Sequence, residues 1–134
     1  MSQYVTDTHP LLWHISGDPR LSAVARTIFT EADAGLHQIL VPGIVLVEAV
    51  YLAEKKRIDP LVVDQLFFLL DLGPANYAAI PLEVGVVRIL RTINRAAVPD
   101  MPDRIIVATA KHLGLDLVTK DHDIATSGIV AVVW

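Results

Sequence analysis

Near its start the chain reads Tyr4-Val5-Thr6-Asp7-Thr8-His9-Pro10-Leu11-Leu12-Trp13. Its first residues, Tyr4-Val5-Thr6, predict a short strand, and the residues from Thr8 to Ile15 predict a helix that follows it almost at once. The acidic residue Asp7 lies at the junction. A strand that passes straight into a helix is typical of α/β domains.

The same alternation of strands and helices continues along the chain. The predicted strands are Tyr4–Thr6, Gln38–Val41, Tyr77–Ile80, Leu115–Thr119 and Ile129–Val133. After the first helix, the predicted helices run from Ser22 to Gly35, Ile44 to Lys56, Asp59 to Asp71, Leu82 to Ile93 and Asp100 to about Leu113. The apolar run 130–133 is typical of parallel strands buried on both faces. We therefore predict an α/β fold in which helices flank a central, mostly parallel, twisted sheet of about five strands.

The composition fits one domain over residues 1–134. Hydrophobic residues make up 53% of the chain and charged residues 19%, which excludes intrinsic disorder. The longest uncharged stretches, 34–47 and 72–82, contain Pro and Gly and are shorter than the roughly 20 residues of a membrane span. The first residues lack the pattern of a secretory signal, and Cys is absent. We expect a cytoplasmic protein without disulfides, thiolate catalysis or Cys-based zinc sites.

The net charge is −4 and the isoelectric point is about 5.6. The chain as a whole therefore lacks the basic surface of a protein that binds nucleic acid through phosphate neutralisation alone. Nucleic-acid binding would need another source of attraction.

Four of the fifteen acidic residues stand out by position, because ligands of open parallel sheets bind beyond the carboxyl ends of the strands. Asp7 and Asp121 follow predicted strands. Asp103 lies in the first turn of a helix, and Glu48 lies about a turn into the helix after the second strand. Each of them alone could simply cap a helix or complement its dipole.

Together, four carboxylates at one sheet edge would repel each other. At about 4 Å each pair costs roughly 4 kcal/mol at an effective dielectric constant of 20. Such a cluster either takes up protons or binds a cation. Oxygen ligands without Cys, and without His at suitable spacing, favour Mg²⁺ or Mn²⁺ over zinc. An ion of this kind suits phosphodiester cleavage and would attract a polyanion.

Four segments, in order along the chain, carry a resemblance to a known family. They are Val5-Thr6-Asp7-Thr8-His9-Pro10-Leu11-Leu12-Trp13, Val45-Leu46-Val47-Glu48, Asp100-Met101-Pro102-Asp103-Arg104-Ile105-Ile106-Val107-Ala108-Thr109-Ala110 and Val118-Thr119-Lys120-Asp121. These segments resemble the acidic motifs of the PIN domain, particularly those of the VapC toxins of toxin–antitoxin pairs. The first and third segments are the more specific ones.

The resemblance implies a three-layer PIN-like fold and a Mg²⁺- or Mn²⁺-dependent endoribonuclease with one or two ions. It implies that Asp7 and Asp103 bind the metal directly, and that Glu48 and Asp121 complete the pocket directly or through water. It also implies a homodimer and a cognate antitoxin protein as partners, with RNA as the substrate.

Several neighbouring residues are candidates for supporting roles. Asp100 is interpreted as the N-cap of its helix, with a supporting hydrogen bond as the alternative, and Asp123 as the cap of a short helix that begins near Ile124. The hydroxyls of Thr8 and Thr119 could orient metal-bound water, although such groups usually satisfy backbone atoms. His9 and His122 flank the pocket, but lone histidines are more often structural or exposed.

Basic residues are few but grouped. Arg88, Arg91 and Arg95 recur at helical spacing, and Arg104 and Lys120 lie beside the acidic positions. They indicate either a solvated face or a track for the RNA backbone.

The helix predicted from Asp59 to Asp71 is apolar nearly all round, since Val62-Val63 and Phe67-Phe68-Leu69-Leu70 leave no clearly polar side there. A small domain rarely buries so much apolar surface. This pattern favours a homodimer face or a groove for a partner helix.

Two other functions fit parts of the sequence. A phosphatase of the haloacid-dehalogenase type would use Asp7 as a covalent nucleophile, but it needs a second Asp where this chain has His9. The other is a non-catalytic α/β interaction module whose acidic residues only cap helices.

Overall fold

The computed structural model describes residues 2–134 and contains a five-stranded sheet in the order β3-β2-β1-β4-β5. All neighbouring strands are parallel, which confirms the predicted fold class. The strands are β1 Ser2–Thr6, β2 His37–Pro42, β3 Tyr77–Ile80, β4 Asp116–Val118 and β5 Val132–Val133.

Seven helices flank the sheet in this part of the chain. They are α1 Thr8–Ser16, α2 Ala23–Asp33, α3 Gly43–Glu54, α4 Pro60–Asp71, α5 Val84–Leu90, α6 Met101–Leu113 and α7 His122–Ser127. Two predicted caps are present, because the side chains of Ser22 and Asp59 accept hydrogen bonds from the first-turn amides of α2 and α4. Within residues 2–134 no helix combines the length and the apolar character needed to cross a bilayer.

The central strand β1 holds the core together. Val5 lies beside Leu40 of β2 and Leu117 of β4, and both Val5 and Leu117 are fully buried. From β1 the chain builds one half of the sheet through β2 and β3, and it later returns to add β4 and β5 on the other side. The strand order therefore reverses between β1 and β4, the place where open α/β sheets bind ligands.

Several predicted elements are shorter in the structure; the strand predicted over Leu115–Thr119, for example, spans Asp116–Val118. The predicted strand Ile129–Val133 reduces to Val132–Val133, since the partner strand β4 has only three residues and pairs through Leu117 and Val118. The predicted helix Leu82–Ile93 reduces to Val84–Leu90. The apolar pattern extends beyond the strand Val132–Val133 and the helix Val84–Leu90 because Ile93, Ile129 and Val130 still pack on the core.

Candidate metal centre

Asp7 is fixed at the carboxyl edge of β1. Its backbone N–H donates to the Val118 carbonyl oxygen at 3.0 Å, which continues the β1–β4 pairing by one step. One carboxylate oxygen accepts from the Thr8 N–H at 2.7 Å. The other accepts from the Thr119 hydroxyl, also at 2.7 Å. The orientation of this carboxylate is therefore set by both strands that flank the strand-order reversal.

Glu48 is joined to the same edge through Thr8. The Thr8 hydroxyl donates to Glu48 Oε1 at 2.6 Å, and Thr8 itself is buried. Thr8 thus contacts two of the predicted carboxylates, Asp7 through its backbone and Glu48 through its side chain. The hydroxyls of Thr8 and Thr119, both predicted as supporting groups, each donate a hydrogen bond to one of these carboxylates.

Asp121 begins α7. Its Oδ1 accepts from the Ile124 N–H at 3.0 Å, and its own N–H donates to the Thr119 hydroxyl at 3.0 Å. The prediction that Asp123 caps this helix is wrong, because Asp121 occupies the N-cap position and Asp123 lies in the first turn. The helix begins two residues earlier than its apolar residue Ile124 suggests.

Asp100 and Asp103 belong to the start of α6. Asp100 occupies the predicted N-cap position, but its side chain makes no capping hydrogen bond. Asp103 is in the first turn. Both side chains line the same cavity as Asp7, and the supporting role of Asp100 stays a prediction.

A cavity of about 650 Å³ brings these groups together. Its walls contain six carboxylates, those of Asp7, Glu48, Asp100, Asp103, Asp121 and Asp123. The four carboxylates singled out from the sequence therefore share one cavity with Asp100 and Asp123, two of the candidates for supporting roles. His9 and His122 line it as well, and both are exposed.

The carboxylates raise each other's pKa values. Burial raises the pKa of Asp103 to about 7, and the negative charges of Asp7, Asp100, Asp121 and Glu48 add to the effect. Burial also raises the pKa of Asp7, against the opposing hydrogen bonds from Thr119 and Thr8. The pKa of Glu48 is raised by burial and then by Asp7 and Asp100, although the Thr8 hydrogen bond lowers it. A cation in this cavity would stabilise the charged forms of all three.

The sequence between residues 4 and 128 matches the family model of the PIN domain. The chain belongs to the PIN domain family. No curated protein matches it by sequence.

Solved structures with the same fold include toxin–antitoxin complexes. The VapBC2 complex from Rickettsia felis, bound to a promoter DNA fragment, contains a chain with a TM-score of 0.73 and 16% identity, over 98% of this PIN domain and 97% of that chain. A chain of the DNA-bound VapBC complex from Salmonella typhimurium has a TM-score of 0.69 and 17% identity, over 99% of this PIN domain and 98% of that chain. A chain of a toxin–antitoxin complex from Klebsiella pneumoniae has a TM-score of 0.67 and 22% identity, over 98% of this PIN domain and 96% of that chain. At these identities the likeness shows a shared fold.

The donor set of this PIN domain fits a hard divalent ion that keeps part of its hydration shell. The donors are carboxylate oxygens, and the chain has no Cys. Among residues 2–134, no three His, Asp or Glu side chains converge into a ready-made ligand cluster. An open arrangement of this kind suits Mg²⁺, which retains several waters and takes one or two protein carboxylates, better than zinc, which needs three or four protein ligands.

The predicted basic residues lie in different places. Lys120 lines the acidic cavity. Arg104 instead donates from Nη2 to the carbonyl oxygens of Leu90 and Ile93, at 3.1 and 3.2 Å, so its guanidinium binds the end of α5. Arg88 and Arg91 are exposed and line a separate cavity of about 480 Å³. Of these four residues, only Lys120 is positioned beside the carboxylates.

Sequence reasoning missed two residues of the cavity wall, Trp13 and Arg20. Trp13 lies on α1 one helical turn after His9, and their rings are 5.7 Å apart. Arg20 follows in the turn before α2. The strand-end rule does not select either residue. The spacing from His9 to Trp13 is the available signal, since residues four apart lie on one face of a helix.

Proposed function

We propose that this PIN domain is a Mg²⁺- or Mn²⁺-dependent endoribonuclease. The observation that carries the proposal is the group of carboxylates at the strand-order reversal, in one cavity and with raised pKa values. A protein rarely concentrates so much negative charge in a cleft unless a cation or a proton-transfer role requires it. The carboxylate pattern and the family membership support the same activity.

In this proposal Asp7 and Asp103 bind the metal directly, while Glu48 and Asp121 bind it directly or through water. When bound, one or two ions would activate a water molecule and neutralise charge on the phosphate in the transition state. Thr119 holds the Asp7 carboxylate and Thr8 holds that of Glu48, each through a hydrogen bond of 2.6 to 2.7 Å. These hydroxyls keep the ligands in place before substrate binds, which lowers the reorganisation needed during the reaction.

We further propose that the protein acts as the toxin of a toxin–antitoxin pair. Its solved neighbours from Rickettsia felis and Salmonella typhimurium are complexes of this kind. An apolar cavity of about 630 Å³ lies at the far end of α1, against Phe68, Leu69 and Leu72 of the α4 region. Phe68 is 62% exposed. An antitoxin segment with an apolar face would cover this surface.

A second exposed apolar surface supports a homodimer. Leu82, Val84 and Val87 are 47 to 69% exposed and line one shallow cavity around the start of α5. Such a surface on a small protein favours association with a second copy. Light scattering of the purified protein measures this state directly.

The decisive experiment compares RNA cleavage by the purified protein with Mg²⁺, with Mn²⁺ and with a chelator. We expect cleavage with either ion and none with the chelator. A small phosphomonoester serves as the parallel substrate. Rapid hydrolysis of the phosphomonoester without cleavage of RNA would contradict the proposal and favour the phosphatase, and inactivity on both would favour the interaction module.

A further inference from the structure

Trp13 lies in a wall shared by two adjoining cavities. The acidic cavity and a second cavity of about 400 Å³ both contain His9, Trp13 and Arg20 in their linings. Two cations lie near the indole ring. The Arg20 guanidinium carbon is 4.9 Å from its centre, and the Lys120 ammonium is 5.7 Å from it. Both distances are within the range of cation–π attraction, so Trp13 holds two positive charges at the boundary of the acidic cavity.

Both cations retain free hydrogen-bond donors. Arg20 donates to the two carboxylate oxygens of Asp18, from Nε at 3.0 Å and from Nη2 at 2.7 Å. A guanidinium has five N–H groups, so other donors remain. Within residues 2–134, Lys120 has no carboxylate oxygen within 4.0 Å of its ammonium. The acidic residues of the cavity therefore form no direct ion pair with Lys120, and its ammonium donors are free to bind a ligand.

The second cavity offers room beyond these cations. Arg57 is exposed in its lining. The two acidic residues there are already engaged, because Asp18 pairs with Arg20 and the Asp59 side chain accepts from the Leu61 N–H at 2.9 Å. The amide hydrogen bond leaves the charge of Asp59 in place, so Arg20 and Arg57 balance the two acidic residues. Among residues 2–134, Arg57 is the cation of this cavity that forms no ion pair. A volume of about 400 Å³ falls in the range of small-ligand sites.

We propose that Arg20 and Lys120, positioned by Trp13, form a clamp for the phosphate next to the one that is cleaved. The RNA strand continues from the clamp into the second cavity, toward Arg57. This inference rests on the proposed ribonuclease activity and assigns to this chain its contacts with single-stranded RNA. Arg20 and Lys120 are binding residues, and Trp13 is a positioning residue that acts through them.

The test is the salt dependence of binding to a single-stranded RNA oligonucleotide, measured by fluorescence anisotropy in an Asp7→Asn background that does not cleave it. Each lost phosphate contact lowers the slope of log K against log salt by about 0.7 for a single strand. We expect this loss in Arg20→Gln and in Lys120→Gln. Lys111→Gln, at the opposite end of α6 from Asp103, is the matched control and should keep the full slope.

Trp13 variants separate positioning from charge. Trp13→Leu removes no charge, yet it should lower the slope because both cations lose their support, and Trp13→Phe should restore most of it. The losses should be the same with an oligonucleotide that lacks bases. If the effect of Trp13→Leu disappears with that oligonucleotide, the indole stacks on a base and the clamp is overturned. If Trp13→Leu does not fold, the salt slopes of Arg20→Gln, Lys120→Gln and Trp13→Phe test the clamp without it.

Unchanged salt slopes in both Arg20→Gln and Lys120→Gln would overturn the clamp, even though metal-dependent cleavage by the unmodified protein would still support the ribonuclease. Absence of that cleavage overturns the ribonuclease itself. The two failures are therefore distinguishable, since cleavage is measured on the unmodified protein and binding on the variants.

Discussion

Two cavities of similar size lie at the two ends of α1, and they differ in what surrounds their carboxylates. At its beginning lies the acidic cavity of about 650 Å³, and at its end lies the cavity of about 630 Å³ that contains Asp33. Asp33 accepts from the Tyr77 hydroxyl at 2.6 Å and from the His14 ring at 2.8 Å. Six carboxylates share the acidic cavity, whereas Asp33 is surrounded by donors.

This difference separates a structural carboxylate from a functional group. Hydrogen-bond donors satisfy Asp33 within the fold, so it links α2 to α1 and β3. In the acidic cavity the neighbours of each carboxylate include other carboxylates, and their repulsion persists until a cation or protons arrive. We expect substitutions at Asp33 and its partners to change stability, and substitutions in the acidic cavity to change activity.

The largest expected effect is on catalysis. Asp7→Asn or Asp103→Asn should lower RNA cleavage by about 1,000-fold, because several kcal/mol of metal-dependent stabilisation are lost. Circular dichroism should show the native fold in both variants. The matched control is Asp33→Asn, which should cleave RNA at the normal rate. Full activity of either cavity variant would contradict the assigned roles.

A smaller loss is expected for the hydroxyls that hold the carboxylates. Thr119→Val removes the 2.7 Å hydrogen bond to Asp7 and should lower activity by about 10- to 100-fold, the usual effect of losing a group that orients a metal ligand. Thr119→Ser keeps the hydroxyl and should recover most of the activity. Equal losses in the two variants would indicate that the methyl group, not the hydrogen bond, matters. Thr8→Val tests the hydrogen bond to Glu48 in the same way.

At the Asp33 end the expected effect is on stability. Tyr77 is buried, and this burial, together with the neighbouring Asp33 carboxylate, raises the pKa of its hydroxyl. Tyr77→Phe removes the hydrogen bond to Asp33 and should cost about 1 kcal/mol in the free energy of unfolding. Urea denaturation measures this loss, and RNA cleavage at low temperature should stay unchanged.

The smallest effect concerns pH in the absence of metal. The pKa of Asp103 is about 7 in the folded protein against 3.8 for the free side chain, so between these values the folded state binds more protons. Stability should therefore fall as pH rises from about 4 to about 7 and remain reduced above that. Because the side chain is partly exposed and solvent weakens the effect, we expect a difference of about 3 °C in Tm.

Thermal unfolding with a chelator at pH 5 and pH 8 measures this effect. Asp103→Asn should lose less Tm between the two pH values than the unmodified protein. Added Mg²⁺ should restore Tm at pH 8 in the unmodified protein. An identical pH dependence in both proteins would show that the carboxylates do not interact as the cavity suggests.

The sequence predicted the parts of the site that lie at strand ends. Asp7 and Asp121 follow β1 and β4, and parallel strands bring their carboxyl ends to one edge, so local patterns were enough. Glu48 and Asp103 were found because their helices start at that same edge. The hydrogen bonds that join these elements, such as Thr8 to Glu48, depend on side-chain contacts that no local pattern encodes.

The contacts of two arginines were not predictable from the sequence, for the same reason. Arg104 has the charge and sequence position of an RNA contact, but the carbonyl groups at the end of α5 lie within its reach and bind it. Arg20 has no strand or helix pattern around it, and it enters the cavity only because the turn before α2 folds back onto Trp13. Long, flexible cationic side chains have several possible partners, so their final contacts depend on the assembled fold.

The hydrogen bond from Thr119 to Asp7 has a consequence for how the protein is made. It joins residues 112 positions apart, and β4, which ends just before Thr119, pairs with β5 only when residues 132 and 133 are present. During synthesis Asp7 emerges from the ribosome early, but its hydrogen-bond donor Thr119 emerges only when nearly the whole chain has been made. A ribosome-bound fragment that lacks β4 and β5 therefore contains most of the helices but no complete acidic cavity.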